Sequence, residues 1–409
     1  MGRETVSHEW KRWYLLLLVI LLSACSLAPG SNKEQATAVP PTEEQKLPTP
    51  VPISPTPFSP ILLSPIPTPT VILPPPLPAT PAPVAFDPSI SILNAGALKQ
   101  LTAIRFSPWE LVLAVAWSPD GKLLAVSAGE TISVYDSSNL PAASLASFNI
   151  GALTPALSFS PDGRYLAAGS RDGKVRLWKV ESLGKAQNPD MILKANKKGV
   201  NCLAFSPDGQ RLASGGNDAV ARLWDINSGK NVGQIIGGTY AVPAIAFTAD
   251  GNGLAIINGS LIRVRDVQSS RMLATLRVET PLYSIAFSNG GRFLALGDSN
   301  NTIWLWETGQ GFHPATGKAP LPVKLTGHVG KKGSPAALVW SLAFSQDGSL
   351  LVSAGGDATV RLWDPTSGKL VSTLGGFGGA ASSLAFSRDG RRLAVGSLDG
   401  TLRLWGVSP

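Results

Sequence analysis

The sequence predicts an all-β fold, a closed ring of seven four-stranded sheets spanning residues 91–409. Three observations predict it. An aromatic residue followed by Ser or Thr recurs seven times, at Trp117, Phe159, Phe205, Phe247, Phe287, Phe344 and Phe386, with spacings of 42, 46, 42, 40, 57 and 42 residues. A second landmark recurs in step, at Tyr135, Trp178, Trp224, Arg265, Trp306, Trp363 and Trp405. Gly (42) and Pro (34) are abundant in the 409 residues, which favours turns and short extended segments over long helices.

The chain opens on an export signal. Arg3, Lys11 and Arg12 precede an apolar run over residues 13–22. A bilayer-spanning helix needs roughly 20 apolar residues. The run has about half that, so residues 1–24 read as a signal peptide rather than a permanent anchor. The tetrad Leu22-Ser23-Ala24-Cys25 resembles the lipobox of bacterial lipoproteins. The resemblance implies that Cys25 carries a diacylglyceryl thioether and becomes the first mature residue. The protein is then expected to sit outside the cytoplasm, anchored to the membrane, since acyl chains contribute about 0.8 kcal/mol per buried CH₂.

Residues 25–90 form the second expected unit, a lipidated Cys followed by a disordered Pro/Thr-rich stalk. Nineteen of the 34 prolines fall between residues 26 and 88. Proline fixes φ and biases the preceding residue toward extended backbone, so such a segment forms no core and tends to polyproline II. At about 3.1 Å per residue it reaches at most roughly 195 Å.

Each repeat reads as four strands. A short apolar strand enters a Ser-Pro-Asp-Gly turn, where Pro suits the second position and Gly accepts positive φ. A second apolar strand follows, as at residues 211–214, then a Gly/Asn/Asp turn and a third strand ending in Leu-Trp. A more variable strand, as at residues 370–374, completes the unit. One such sheet cannot bury both faces, but a ring of seven can. With these residues in view, the chain resembles the WD-repeat (WD40) β-propeller family over residues 91–409. The last copy stops after its third strand. The missing strand is therefore expected from the start of the domain, near residues 98–104, leaving no exposed edge.

Candidate chemistry is sparse. Asp172, Asp218, Asp357 and Asp399 each lie six residues before a repeat Trp. In the family this Asp joins a structural hydrogen-bond network with a His, a Ser or Thr, and the Trp. Here His328, Ser353, Asp357 and Trp363 match fully, whereas the third repeat keeps Ser214, Asp218 and Trp224 without the His. These carboxylates are read as structural. Cys202 lies on an inner strand and is read as a small buried thiol. With Cys25 it makes only two cysteines, too few for a disulfide framework or zinc site. After cleavage only His313 and His328 remain as imidazoles. There is no Gly-x-Ser-x-Gly elbow and no phosphate loop. No catalytic residue, metal or cofactor is called for.

The net charge of +8 is scattered along the chain, so it reads as a mildly basic surface without a nucleic-acid partner. The segment 308–335 is a clear insertion. Lys331 and Lys332 lie in its inter-repeat loop, and Lys197 and Lys198 occupy the equivalent loop before the third repeat. In the family such loops face partners, so these four lysines are a candidate docking face. The expected function is a membrane-tethered, monomeric, non-catalytic scaffold for protein partners. The alternatives are a propeller enzyme acting on an extracellular small molecule and a glycan or cell-wall binder.

Overall fold

The structure, a computed structural model, describes residues 89–107, 110–185, 188–236, 238–308, 321–331 and 333–407. Cys25, the proline-rich segment, His313 and Lys332 lie outside the described residues.

The seven-bladed expectation is borne out. Seven four-stranded antiparallel sheets follow one another in the chain. Blade 1 comprises Val112–Trp117, Leu123–Ala128, Thr131–Asp136 and Ala146–Asn149. Blade 2 comprises Ala156–Phe159, Tyr165–Gly169, Lys174–Lys179 and Met191–Lys194. Blade 3 comprises Val200–Phe205, Arg211–Gly216, Val220–Asp225 and Asn231–Ile236. Blade 4 is Ile245–Phe247, Gly253–Asn258, Leu261–Asp266 and Met272–Arg277. Blade 5 is Leu282–Phe287, Phe293–Asp298, Thr302–Glu307 and Val323–Thr326. Blade 6 is Val339–Phe344, Leu351–Gly355, Val360–Trp363 and Leu370–Leu374. Blade 7 takes Ala381–Phe386, Arg392–Ser397 and Thr401–Val407 from the end of the domain. Its fourth strand, Leu98–Arg105, comes from the start, pairing from Leu98 opposite Val407 to Arg105 opposite Thr401.

The first strands of successive blades touch all the way round, blade 7 meeting blade 1. The apolar interior is correspondingly divided into seven clusters, one between each pair of neighbouring blades. Between blades 2 and 3, for example, Leu177 and Leu193 meet Val200, Leu212 and Trp224. Blades approach too closely for a side chain at one recurring position. A Cβ on Gly169, Gly215, Gly297 or Gly396 would lie 2.5–2.6 Å from the Val that opens the next blade's inner segment, Val200, Val242, Val339 or Val112. The small residue at or next to the end of one second strand is the socket for the β-branched residue of its neighbour.

In six of the seven blades the turn between first and second strands shares one chemistry; the blade 5 turn, residues 288–291, has no Asp. Ser206 Oγ donates to Asp208 Oδ1 at 2.5 Å and accepts from the Arg211 amide at 2.9 Å, while Gly209 takes φ +71°. Ser118, Ser160, Thr248, Ser345 and Ser387 repeat the hydroxyl–Asp bond. The acidic residues of these turns are thus committed to backbone geometry.

The segment ahead of the closing strand is also held. Ile90 is 1% exposed in the cluster between blades 6 and 7, and its amide donates to the Gly390 carbonyl at 2.7 Å. Removing residues 91–106 is expected to abolish the cooperative melt and cause aggregation, because the third strand of blade 7 becomes an open edge and a core cluster loses one wall. A melting transition unchanged by that deletion would show that closure does not carry stability.

Candidate functional site

Strand direction alternates within each blade, so connections divide between two faces. First–second and third–fourth turns share one face. Second–third turns and the loops between blades share the other, here termed the loop face. The N-terminal segment joins the ring on the first face, where Ile92 donates to Ser349 Oγ at 3.1 Å beside the first–second turn of blade 6.

The loop face is built on carboxylates held in second–third turns. In blade 6, His328 Nε2 lies 2.8 Å from Ser353 Oγ and Nδ1 lies 3.0 Å from Asp357 Oδ1. Trp363 Nε1 donates to the same Ser353 oxygen at 2.9 Å. Asp357 also accepts from the Val329 amide at 2.8 Å and the Thr359 hydroxyl at 2.8 Å. The four residues singled out in the sequence therefore form one buried chain from the turn to the third strand. Burial opposes charge on Asp357, but the bonds from His328, Val329 and Thr359 outweigh it and hold the carboxyl at about 2.

Blade 3 keeps two halves of the network, unbridged, in a way that its sequence does not announce. Asn196 takes the place of the absent His: its Nδ2 donates to Asp218 Oδ1 at 2.8 Å. Trp224 Nε1 donates to Ser214 Oγ at 3.0 Å. Blade 2 keeps Asp172 and Trp178, but Ala168 stands where Ser is needed, and the buried Trp178 Nε1 has no partner among the described residues. Blade 7 repeats the loss, with Val395 at that position and Trp405 Nε1 unpaired among the described residues. Asp298 in blade 5 was not singled out by the sequence pattern. It is 1% exposed and accepts from Trp304 Nε1 at 2.9 Å and Thr280 Oγ1 at 2.5 Å. It sits six residues before Trp304 but eight before the repeat Trp306, so the six-residue rule passed over it.

Four arginines, also unremarked in the sequence, neutralise these carboxylates at i+4. Arg176 and Arg222 lie 2.7 Å and 2.8 Å from Asp172 and Asp218, and Arg361 and Arg403 lie 3.7 Å and 3.5 Å from Asp357 and Asp399. Among the described residues no group of three or more His, Cys, Asp or Glu could hold a metal ion. Burial pushes the Cys202 thiol up to about 12, which leaves it protonated and unreactive.

The loops around this scaffold carry the lysines. Lys197 and Lys198 are exposed, and their backbone is pinned: the Lys197 amide donates to Asp218 Oδ2 at 3.1 Å, and Asn217 Nδ2 donates to the Lys198 carbonyl at 3.1 Å. Lys331 is exposed in the loop between blades 5 and 6, its carbonyl held by Ser334 Oγ at 2.6 Å. These lysines share the loop face but not one patch, since three blades separate the two loops.

The sequence matches the family described as WD domain, G-beta repeat over residues 100–136, 153–179, 187–225, 270–307, 321–364 and 368–406, more than half of the chain. The chain belongs to the WD40 family. The unmatched stretch includes the first three strands of blade 4, the WD40 repeat in which Arg265 replaces the Trp. Arg265 still pairs with Leu254, as Trp224 pairs with Leu212, so the fold keeps a repeat whose landmark is lost. An uncharacterized WD repeat-containing protein from Synechocystis sp. is 30% identical over 136 residues, 32% of this chain. The match spans about a third (34%) of that relative's length.

The networks can be probed at two positions. Ala168→Ser supplies the missing acceptor for Trp178 and is expected to stabilise the domain by about 1 kcal/mol, read from denaturant midpoints. A lower midpoint would mean that the hydroxyl does not reach the indole. Asp357→Asn is expected to cost about 1–3 kcal/mol at neutral pH, the range for losing hydrogen bonds to a buried charge. The depressed carboxyl contributes stability that is complete above its unfolded value of about 3.9 and lost as pH falls toward about 2. The melting-temperature gap between native and Asp357→Asn protein should therefore narrow across that window. A constant gap would contradict a charge-based role.

Proposed function

We propose that the protein is an extracytoplasmic WD-repeat lipoprotein, tethered through Cys25, whose propeller is a non-catalytic scaffold for protein partners. The observation that carries this reading is the division of labour on the loop face. The aspartates at the second–third turns are tied up: Asp172, Asp218, Asp357 and Asp399 each have an Arg at i+4, and Asp298 has Trp304 and Thr280. The loops beside them carry exposed lysines, and Asp218 and Asp357 hold the backbone of two of those loops through the Lys197 and Val329 amides. A rigid frame presenting a broad, irregular polar face suits protein recognition, where order in the free state lowers the cost of binding. WD40 membership supports the scaffold role in general. The lipobox-like Leu22-Ser23-Ala24-Cys25 supports the anchor and the export.

The anchor is tested by fractionation. Native protein is expected in the membrane pellet after a high-salt wash, and Cys25→Ala protein in the soluble or secreted fraction. Retention of the variant in washed membranes would refute lipid attachment at this residue. The scaffold role is tested by crosslinking on intact cells followed by pull-down through the propeller. Recovery of a stoichiometric protein partner supports it, and turnover of an extracellular small molecule by the purified protein would replace it.

A further inference from the structure

We propose that the loop face at the seam of blades 2 and 3 binds an acidic peptide segment of a partner, with Arg171 as the seat for one of its carboxylates. The proposal rests on the scaffold reading and assigns the chemistry of contact.

Arg171 lies in the second–third turn of blade 2, next to Asp172. Its backbone is fixed, since its amide donates to the Leu153 carbonyl at 2.8 Å and its carbonyl packs against Gly199, where an added Cβ would lie 3.0 Å away. Its side chain crosses to blade 3, where Nη1 donates to Asn201 Oδ1. Asn201 is oriented for that bond, because its Nδ2 donates to Asn217 Oδ1 at 2.8 Å and the Val242 carbonyl at 3.2 Å. The guanidinium is thus pre-positioned by three neutral groups.

What sets Arg171 apart is the lack of a counter-charge. Arg176, Arg222, Arg361 and Arg403 each have an Asp at i−4. Arg171 forms no ion pair with any described residue, and the adjacent Asp172 is taken by Arg176 and Ser170. Partial burial draws the Arg171 guanidinium below the usual arginine range. A half-buried cation whose side-chain partner is a neutral amide lacks a counter-charge, and an arriving anion supplies it. The planar fork of arginine matches a carboxylate with two parallel bonds.

The surroundings extend the match. Lys194, Lys197 and Lys198 are exposed along the same seam and form no ion pair with a described residue. The neighbouring Asp172 and Asp218 are neutralised by Arg176 and Arg222, so the seam is positive. Cations spread over a strand end and a loop suit several carboxylates spaced along a chain better than one compact anion. The seam also lies on the face opposite the one where the described N-terminal segment, from residue 89, joins the ring.

The test uses the full-length protein in detergent and a fluorescent peptide of roughly ten residues rich in Glu, read by anisotropy at low salt, where surface charge is least screened. Native protein is expected to bind this peptide and not its Gln counterpart. Arg171→Gln should weaken binding by at least about tenfold, equivalent to about 1.4 kcal/mol. The pair Lys197→Glu and Lys198→Glu, both exposed and in no core cluster, should weaken it and flatten its salt dependence. That pair decides the matter even where Arg171→Gln fails to fold. Absence of native binding overturns the proposal, as does full affinity in either variant. Tighter binding of inorganic polyphosphate, lost with the same substitutions, would reassign the seat to a phosphate polymer. A cellular partner that is still captured after Arg171→Gln would leave the scaffold reading intact and eliminate this site.

Discussion

Closure of the ring is the constraint on which the other features depend. Every blade is apolar on both faces, so each needs a neighbour on either side. A row of seven would leave two naked faces and two unpaired strand edges. Pairing of Leu98–Arg105 with Thr401–Val407 removes both problems at once, because it places the first and last segments of the domain in a single sheet. The contacts are distant in sequence, and the loop-closure entropy they cost is offset only when all seven inter-blade clusters are complete. Ile90 and Ala95 extend the same cluster beyond the strand itself, so the clasp includes the segment that leads into it.

A closed ring with sockets such as Gly215 against Val242 is stiff, and stiffness frees its turns for other uses. Some blades use the freedom to vary their polar networks. Blade 6 holds His328, Ser353, Asp357 and Trp363 in one chain of bonds, blade 3 substitutes Asn196, and blades 2 and 7 leave a tryptophan donor unpaired among the described residues. The ring tolerates this because the apolar clusters carry most of the burial, while each polar bond contributes on the order of 1 kcal/mol. The same variation produces the local charge pattern. Where Asp and Arg are matched four residues apart the turn is electrically quiet. Where an arginine has only a neutral amide oxygen to hold it, as at Arg171, the surface acquires a preference.

The sequence by itself determined the number of blades, their strand content and the need for a closing strand. Each of these follows from patterns within about 45 residues, which recur seven times and reinforce one another. It also marked the Asp of the second–third turns and the full set in blade 6, because those residues keep a constant spacing from a repeat Trp. Tertiary structure alone decided what spacing does not encode. Asn196 replaces a histidine through a contact with Asp218, made across the loop that enters blade 3. Asp298 works from a shifted position because Trp304 and Thr280 converge on it in space. Lys197 and Lys331 share a face yet lie three blades apart, a separation set by the ring and not by the loops. Arg171 has the composition of an ordinary surface arginine, and only the packing of blade 2 on blade 3 shows it to be held beside Asn201 without a counter-charge. Repeats are written locally and can be read locally. The seams between them are made by residues from different repeats, and a seam exists only once the ring has closed.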